Sequence, residues 1–218
     1  MNKKAIIVSG GFIDKAFALQ VFEEIQSQYI LGVDRGLAFL YENQIVPTHI
    51  LGDFDSVPPH IIEYYKTKTD IPILELQPEK NATDTELALR LAIELGVEEM
   101  VILGATGTRF DHVMANIQVL KIAQDAGVKA YILDPCNRIS LIEKHVCIKK
   151  REAYGKYFSI FPLGGSVENL SIRGGKYPLE GYTVNPYDSR CVSNEWEEEI
   201  VEIDFDDGIV ILMETRDK

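Results

Sequence analysis

The feature that most constrains the fold is a change of rhythm near residue 134. Up to Asp134, short β-branched runs alternate with longer segments of helical spacing. Strands are expected at 5–8, 29–33, 48–51, 71–76, 100–103 and 128–133. Residues 14–28 put Phe17, Val21, Phe22 and Ile25 on one helical face, and Leu87, Leu91 and Leu95 recur at i, i+4 and i+8 with Ala88 and Ala92 beside them. Strand and helix in alternation predict right-handed crossovers and a mostly parallel, doubly wound α/β sheet. After Pro135 no useful helical period returns. Short alternating segments at 138–150, 156–161, 166–173, 178–184, 190–195 and 200–214 are separated by turn signals such as Gly164-Gly165 and Asp206-Asp207-Gly208. That pattern predicts an all-β antiparallel sandwich or barrel. The expected domains are therefore 1–134 and 135–218.

Composition narrows the function. The chain has 218 residues, with 34 acidic and 22 basic side chains and a formal charge of −12. So acidic a protein lacks the electrostatic footprint for nonspecific nucleic-acid binding or for an anionic membrane surface. Cys136, Cys147 and Cys191 are odd in number and unpaired in spacing, which suits neither a disulfide framework nor a thiolate zinc site. The N-terminal apolar stretch is too short for a signal-peptide core, and no run of about 18 apolar residues exists. A cytoplasmic protein is expected.

In an open parallel sheet, ligands bind where the loops after the strands gather. Those loops are Ser9-Gly10-Gly11, Asp34-Arg35-Gly36, Gly52-Asp53-Phe54-Asp55-Ser56, Lys80-Asn81-Ala82-Thr83-Asp84 and Gly104-Ala105-Thr106-Gly107-Thr108-Arg109-Phe110-Asp111-His112. In extended backbone Asp53 and Asp55 would face one point, and two close carboxylates repel unless a cation lies between them. Oxygen donors suit a hard cation such as Mg²⁺. The plain alternative is a turn in which Asp53 caps the next helix. Thr83-Asp84-Thr85-Glu86 matches a capping box, leaving Asp84 in the first helical turn as a helix-dipole acid or a further ligand. The Gly104–His112 segment offers glycines for backbone approach to phosphate, a helix N-terminus and the forked guanidinium of Arg109. Asp111 adds a carboxylate, and His112 is a supporting residue. Neither a Walker ending nor GxGxxG is present. These residues predict a divalent-cation-assisted phosphate site built from acids.

The ordered set Gly52-Asp53-Phe54-Asp55-Ser56, Asn81-Ala82-Thr83-Asp84 and Gly107-Thr108-Arg109-Phe110-Asp111-His112 resembles the thiamine pyrophosphokinase family. Asp34-Arg35-Gly36, Lys176-Tyr177-Pro178-Leu179 and Ser193-Asn194-Glu195 extend the resemblance over nearly the whole chain. It implies transfer of an intact diphosphoryl group from ATP to the hydroxyl of thiamine, with AMP released. It also implies a homodimer whose site lies at the subunit interface. By resemblance Asp53, Asp55, Asp84 and Asp111 form the Mg²⁺ and catalytic cluster. Arg109, Thr106, Gly107, Thr108, Asn81 and Asp34 hold the nucleotide, and Ser193, Asn194 and Tyr177 line the thiamine pocket. The family pattern often has a second glycine where this chain has Thr108. A net charge of −12 suits cationic thiamine, and Tyr177 or Trp196 would add a cation–π contact. Rival readings are a pyrophosphokinase for another hydroxymethyl heterocycle such as a pterin, a non-catalytic nucleotide or thiamine sensor, and a Mg²⁺-dependent phosphohydrolase.

Overall fold

The computed structural model describes residues 2–76 and 81–217. Lys80 of the loop before Asn81 lies outside them. The chain divides into two compact units, Met1–Asp134 and Pro135–Lys218.

In the first unit, strands β1 (Lys4–Val8), β2 (Tyr29–Val33), β3 (His49–Gly52), β4 (Ile73–Glu75), β5 (Glu99–Leu103) and β6 (Lys129–Leu133) alternate with helices α1 (Lys15–Glu24), α2 (Gly36–Glu42), α3 (Pro59–Lys68), α4 (Asp84–Glu94) and α5 (Phe110–Asp125). The strands run in the order β4-β3-β2-β1-β5-β6, and every neighbouring pair is parallel. Central strands such as β1, Lys-Ala-Ile-Ile-Val, are covered on both faces, so they read as continuous apolar runs. From β1 the chain steps outward through β2 and β3 to β4, then returns to the other side of β1 for β5. Right-handed crossovers then put α1, α2 and α3 on one face and α4 and α5 on the other. Packing agrees. Leu40 of α2 shares a cluster with Ala18 and Val21 of α1, Leu37 shares one with Ile61 and Tyr65 of α3, and α4 packs on α5. Connections leave β1 and β5 in opposite directions, so a crevice opens between their carboxyl ends.

Two local details differ from expectation. Helix α3 is absent from the periodicity reading, although Pro59 at its start and buried Ile61 and Tyr65 at i and i+4 are its signals. In α4 the expected Ala88 and Ala92 are buried, joined by Thr85 and Leu89, while the Leu87, Leu91, Leu95 stripe stays half-buried. Small alanines let α4 approach β1, β2 and β3 closely while it also packs against α5.

The second unit contains β7 (Asn137–Ile142), β8 (His145–Lys149), β9 (Tyr157–Pro162), β10 (Val167–Arg173), β11 (Leu179–Val184), β12 (Asn194–Glu195), β13 (Ile200–Asp204) and β14 (Val210–Thr215). The expected segments 138–150 and 200–214 each resolve into two strands, and 190–195 shrinks to the two residues of β12. One antiparallel set runs β12-β9-β14-β7 and a second sheet runs β11-β10-β13-β8. Phe158, Ile160, Val210 and Leu212 from the first set meet Val167, Leu170, Ile172, Val201 and Ile203 from the second in a single apolar cluster. Trp196 belongs to this cluster: it is 5% exposed, lies 4.5 Å from the Phe158 ring and donates its Nε1–H to Gly155 O at 2.9 Å.

Candidate active site

A cleft of about 710 Å³ opens in the first unit at the carboxyl ends of β1, β2, β3 and β5 and the N-termini of α4 and α5. Its floor is built by the loops after β1 and β5, which approach to backbone contact. Gly11 N donates to Gly104 O at 2.8 Å and Phe12 N to Thr106 O at 3.2 Å. A Cβ on Gly11 would stand 2.4 Å from Gly104 O, so glycine is required there by space alone. Gly104 adopts φ +67°, and a Cβ on it would stand 2.3 Å from Ser9 O.

Two buried polar contacts hold this floor. Ser9 Oγ and Thr85 Oγ1 share a hydrogen bond at 3.0 Å, tying the end of β1 to the first turn of α4 beside Asp84. The Asn116 carboxamide of α5 donates to Ala105 O at 2.8 Å and holds the loop after β5. Both Ser9 and Asn116 are buried. Neither Asn116 nor the Ser9–Thr85 pair was singled out by the sequence as functional. A polar residue among apolar positions of α5 is the signal that Asn116 left.

Of the sequence-predicted residues, Asp34, Asp53, Asp55, Asp84, Thr106, Gly107, Thr108 and Arg109 all line this one cleft, together with His112. Asp53 and Asp55 reach it by a different route from the extended backbone expected. Phe54 between them adopts φ +62° and is buried against Leu37, Ile50 and Val57. Pulling that ring into the core bends the chain into a turn, in which Asp53 Oδ1 accepts the Asp55 N–H at 3.2 Å. The turn, rather than the alternation of a strand, delivers both carboxylates to the cleft. Asp34 is likewise left-handed, at φ 44°, a costly conformation that functional loops tolerate when their surroundings enforce it.

Thr83 caps α4 as expected, its Oγ1 accepting the Glu86 N–H at 3.2 Å. Glu86 turns instead to Arg90, one turn along the helix, so only half of the capping box forms. Asp84 is thereby presented at the cleft by a capped helix end.

Asp111 and Asn81 are not among the cleft-lining residues. The Asp111 carboxylate faces Arg109, accepting from Nη2 at 2.5 Å and Nε at 3.2 Å. It also accepts the His112 N–H at 3.0 Å, in the first turn of α5. The Arg109 hydrogen bonds hold its carboxyl down at about 2, well below the usual range, and Asp111 in turn raises the guanidinium. Both side chains are exposed. The pair therefore forms a charged rim that stays ionised at neutral pH.

Among the described residues, no group of three His, Cys, Asp or Glu side chains stands together closely enough to hold a metal ion as it is. The donor set of Asp53, Asp55 and Asp84 nonetheless fits a hard divalent cation, since all three are carboxylates lining one cleft.

In the second unit the predicted pocket residues divide by role. Asn194 is 4% exposed and its carboxamide makes three hydrogen bonds. Oδ1 accepts the N–H groups of Tyr177 and Glu195, and Nδ2 donates to Tyr177 O, all at 2.9 Å. Asn194 thus clamps the backbone of Tyr177. The Tyr177 ring itself is 59% exposed, whereas Trp196 is enclosed. Of the two aromatics the sequence leaves open, Tyr177 is the exposed one. Ser193 is exposed, at φ +57°, with its N–H on Ser159 Oγ at 3.0 Å.

Among the described residues no helix is long and apolar enough to cross a membrane. Residues 23–132 match the family model described as "Thiamin pyrophosphokinase, catalytic domain", and residues 144–210 match "Thiamin pyrophosphokinase, vitamin B1 binding domain". The chain is 31% identical over 188 residues to the thiamine pyrophosphokinase of Bacillus subtilis, covering 86% of this chain and 87% of that protein. The crystal structure of a Bacillus subtilis thiamine pyrophosphokinase superposes with a TM-score of 0.86 at 28% identity, over 99% of this chain and 100% of that one. That of a thiamin pyrophosphokinase family protein from Enterococcus faecalis superposes with a TM-score of 0.81 at 30% identity, over the whole of both chains. With family models on both units and such a relative along most of its length, the chain belongs to the thiamine pyrophosphokinase family.

Proposed function

We propose that the protein transfers the diphosphoryl group of ATP to the hydroxyl of thiamine, giving thiamine diphosphate and AMP. The observation that carries this reading is the convergence of Asp53, Asp55 and Asp84 with the Gly104–Thr108 loop and Arg109 in one cleft at the switch point of the parallel sheet. The match of residues 144–210 to a vitamin B1 binding model favours thiamine over a pterin as acceptor.

In this reading Asp53, Asp55 and Asp84 hold Mg²⁺, which when bound neutralises phosphate charge during transfer. The backbone amides between Gly104 and Thr108 and the N-terminus of α5 orient the phosphates. Thr106, Gly107 and Thr108 contribute at close range, with Asp34 and Asn81 at the nucleotide's edges. Arg109 grips phosphate oxygens when it exchanges its Asp111 partner for substrate. Asp111 keeps that guanidinium extended at the rim until then and is the fourth acid of the cluster. Tyr177, clamped by Asn194, covers the thiazolium, with Ser193 beside it. The protein acts as a cytoplasmic homodimer.

Phosphorus NMR of the purified protein with Mg²⁺, ATP and thiamine tests the activity. AMP and thiamine diphosphate should appear one for one, and only with thiamine present. AMP or ADP without a thiamine product refutes the transfer. Sedimentation velocity reads the dimer, and a monomer at assay concentration removes it.

A further inference from the structure

The open face of the β11-β10-β13-β8 sheet carries a nucleophile, a base and an orienting acid in line. Burial alternates along β8, with Val146 and Ile148 packed against the core, so His145, Cys147 and Lys149 share the solvent face. The β8–β13 register sets His145 opposite Asp204 and Cys147 opposite Glu202. Cys147 Sγ lies 3.4 Å from His145 Nε2, and the other ring nitrogen, Nδ1, pairs with the Asp204 carboxylate. Arg173 of β10 anchors Asp204 through Nη1 at 2.5 Å and reaches Glu202 at 3.4 Å. The hydrogen bond from His145, then that from Arg173, hold the Asp204 carboxyl below its usual range, so it is ionised at neutral pH. A thiol on one imidazole nitrogen and a carboxylate on the other is the arrangement that activates a nucleophilic cysteine. Of the charged groups around the thiol, Glu202, across the register, opposes negative charge at sulfur, and Arg173 and Lys149 favour it.

We propose that Cys147, His145 and Asp204 form a reactive-thiol site that captures small disulfides as a mixed disulfide. His145 Nε2 takes the thiol proton, and the sulfur attacks one sulfur of the incoming disulfide. The S–S bond breaks, and the departing thiolate recovers the proton from His145, so one protein mixed disulfide and one free thiol result. Cys136 is half-buried, and Cys191 is buried with its thiol pushed up by desolvation, so both serve as internal references.

The test treats the full-length protein with hydroxyethyl disulfide, quenches with acid and maps each cysteine by peptide mass spectrometry. At about pH 7, Cys147 should react about 100-fold faster than Cys136, the low end expected when a base assists a nucleophile. His145→Gln, with its fold checked by circular dichroism, should lose about that factor at pH 7 and recover most of it near pH 10, where hydroxide removes the proton unaided. Three results overturn the proposal: Cys147 reacting no faster than Cys136, no loss in His145→Gln at pH 7, or a loss that is the same at both pH values.

Discussion

Replacing Gly11 with alanine tests the construction of the phosphate floor. The added Cβ would stand 2.4 Å from Gly104 O and 2.5 Å from Thr106 O, both backbone atoms that no rotamer change can move aside. Restoring ordinary van der Waals separation requires the loops after β1 and β5 to part by about 1 Å. That displacement breaks the Gly11–Gly104 and Phe12–Thr106 hydrogen bonds, at about 1 kcal/mol each, or about 2 kcal/mol of stability. In a chain of this size the loss lowers Tm by about 4–8 °C. The same 1 Å moves the amides that orient the phosphates, so kcat/KM for ATP should fall by about 100-fold. Gly10→Ala is the control, because its Cβ would meet Arg35 Cβ at an ordinary 3.4 Å; it should stay within about twofold of the parent. Initial rates of AMP formation against ATP at saturating thiamine, with thermal melts alongside, read both effects. A Gly11→Ala enzyme within about threefold of the parent in kcat/KM would refute the close-approach argument. Equal damage from Gly10→Ala would trace the effect to chain flexibility instead.

Asp53→Asn removes one of three converging carboxylates; divalent-dependent turnover should fall by at least about 100-fold with the melt unchanged, and retained turnover would take Asp53 out of the metal set. The Asp111 carboxyl should titrate at about 2 by carbon-13 NMR, and Arg109→Ala should return it to near the ordinary value of about 3.9. Because the folded value lies below the unfolded one, the pair's contribution is complete above about pH 4 and disappears as pH falls through about 2, so an acid limb nearer neutrality belongs to another group. Glu214 is 2% exposed and held by Arg138 at 2.5 and 2.6 Å. Arg138→Met should therefore cost about 3–5 kcal/mol in urea unfolding, and the double change with Glu214→Leu should recover most of it; an unchanged midpoint would show the pair idle. Asn194→Ala strands the Tyr177 backbone groups and should raise KM for thiamine while costing about 2–4 kcal/mol of stability. A higher KM for ATP instead would separate Asn194 from the thiamine side.

The sequence by itself determined what depends on neighbours along the chain. Alternation of β-branched runs with helical spacing specified parallel strands with covering helices in the first unit. Its loss after Pro135 specified antiparallel strands in the second. Loops carrying Gly, Asp and Arg after successive strands marked one edge of the sheet, and their ordered motifs marked the family. Each of these signals is carried by residues within a turn or a strand of one another, and only the order of the motifs spans the chain.

Only the tertiary structure decided contacts between residues far apart in sequence. Burial of Phe54 against α2 and β3 replaced an extended Asp53–Asp55 pair with a turn. Gly11 meets Gly104, and Ser9 meets Thr85, only because β5 returns beside β1 while α4 crosses the far face. Asn194 holds Tyr177, and His145 meets Asp204, through strand registers that no single segment encodes. Periodicity states which face of an element is apolar; the position of that face against its partners follows from packing the whole unit, and there the site's geometry is set.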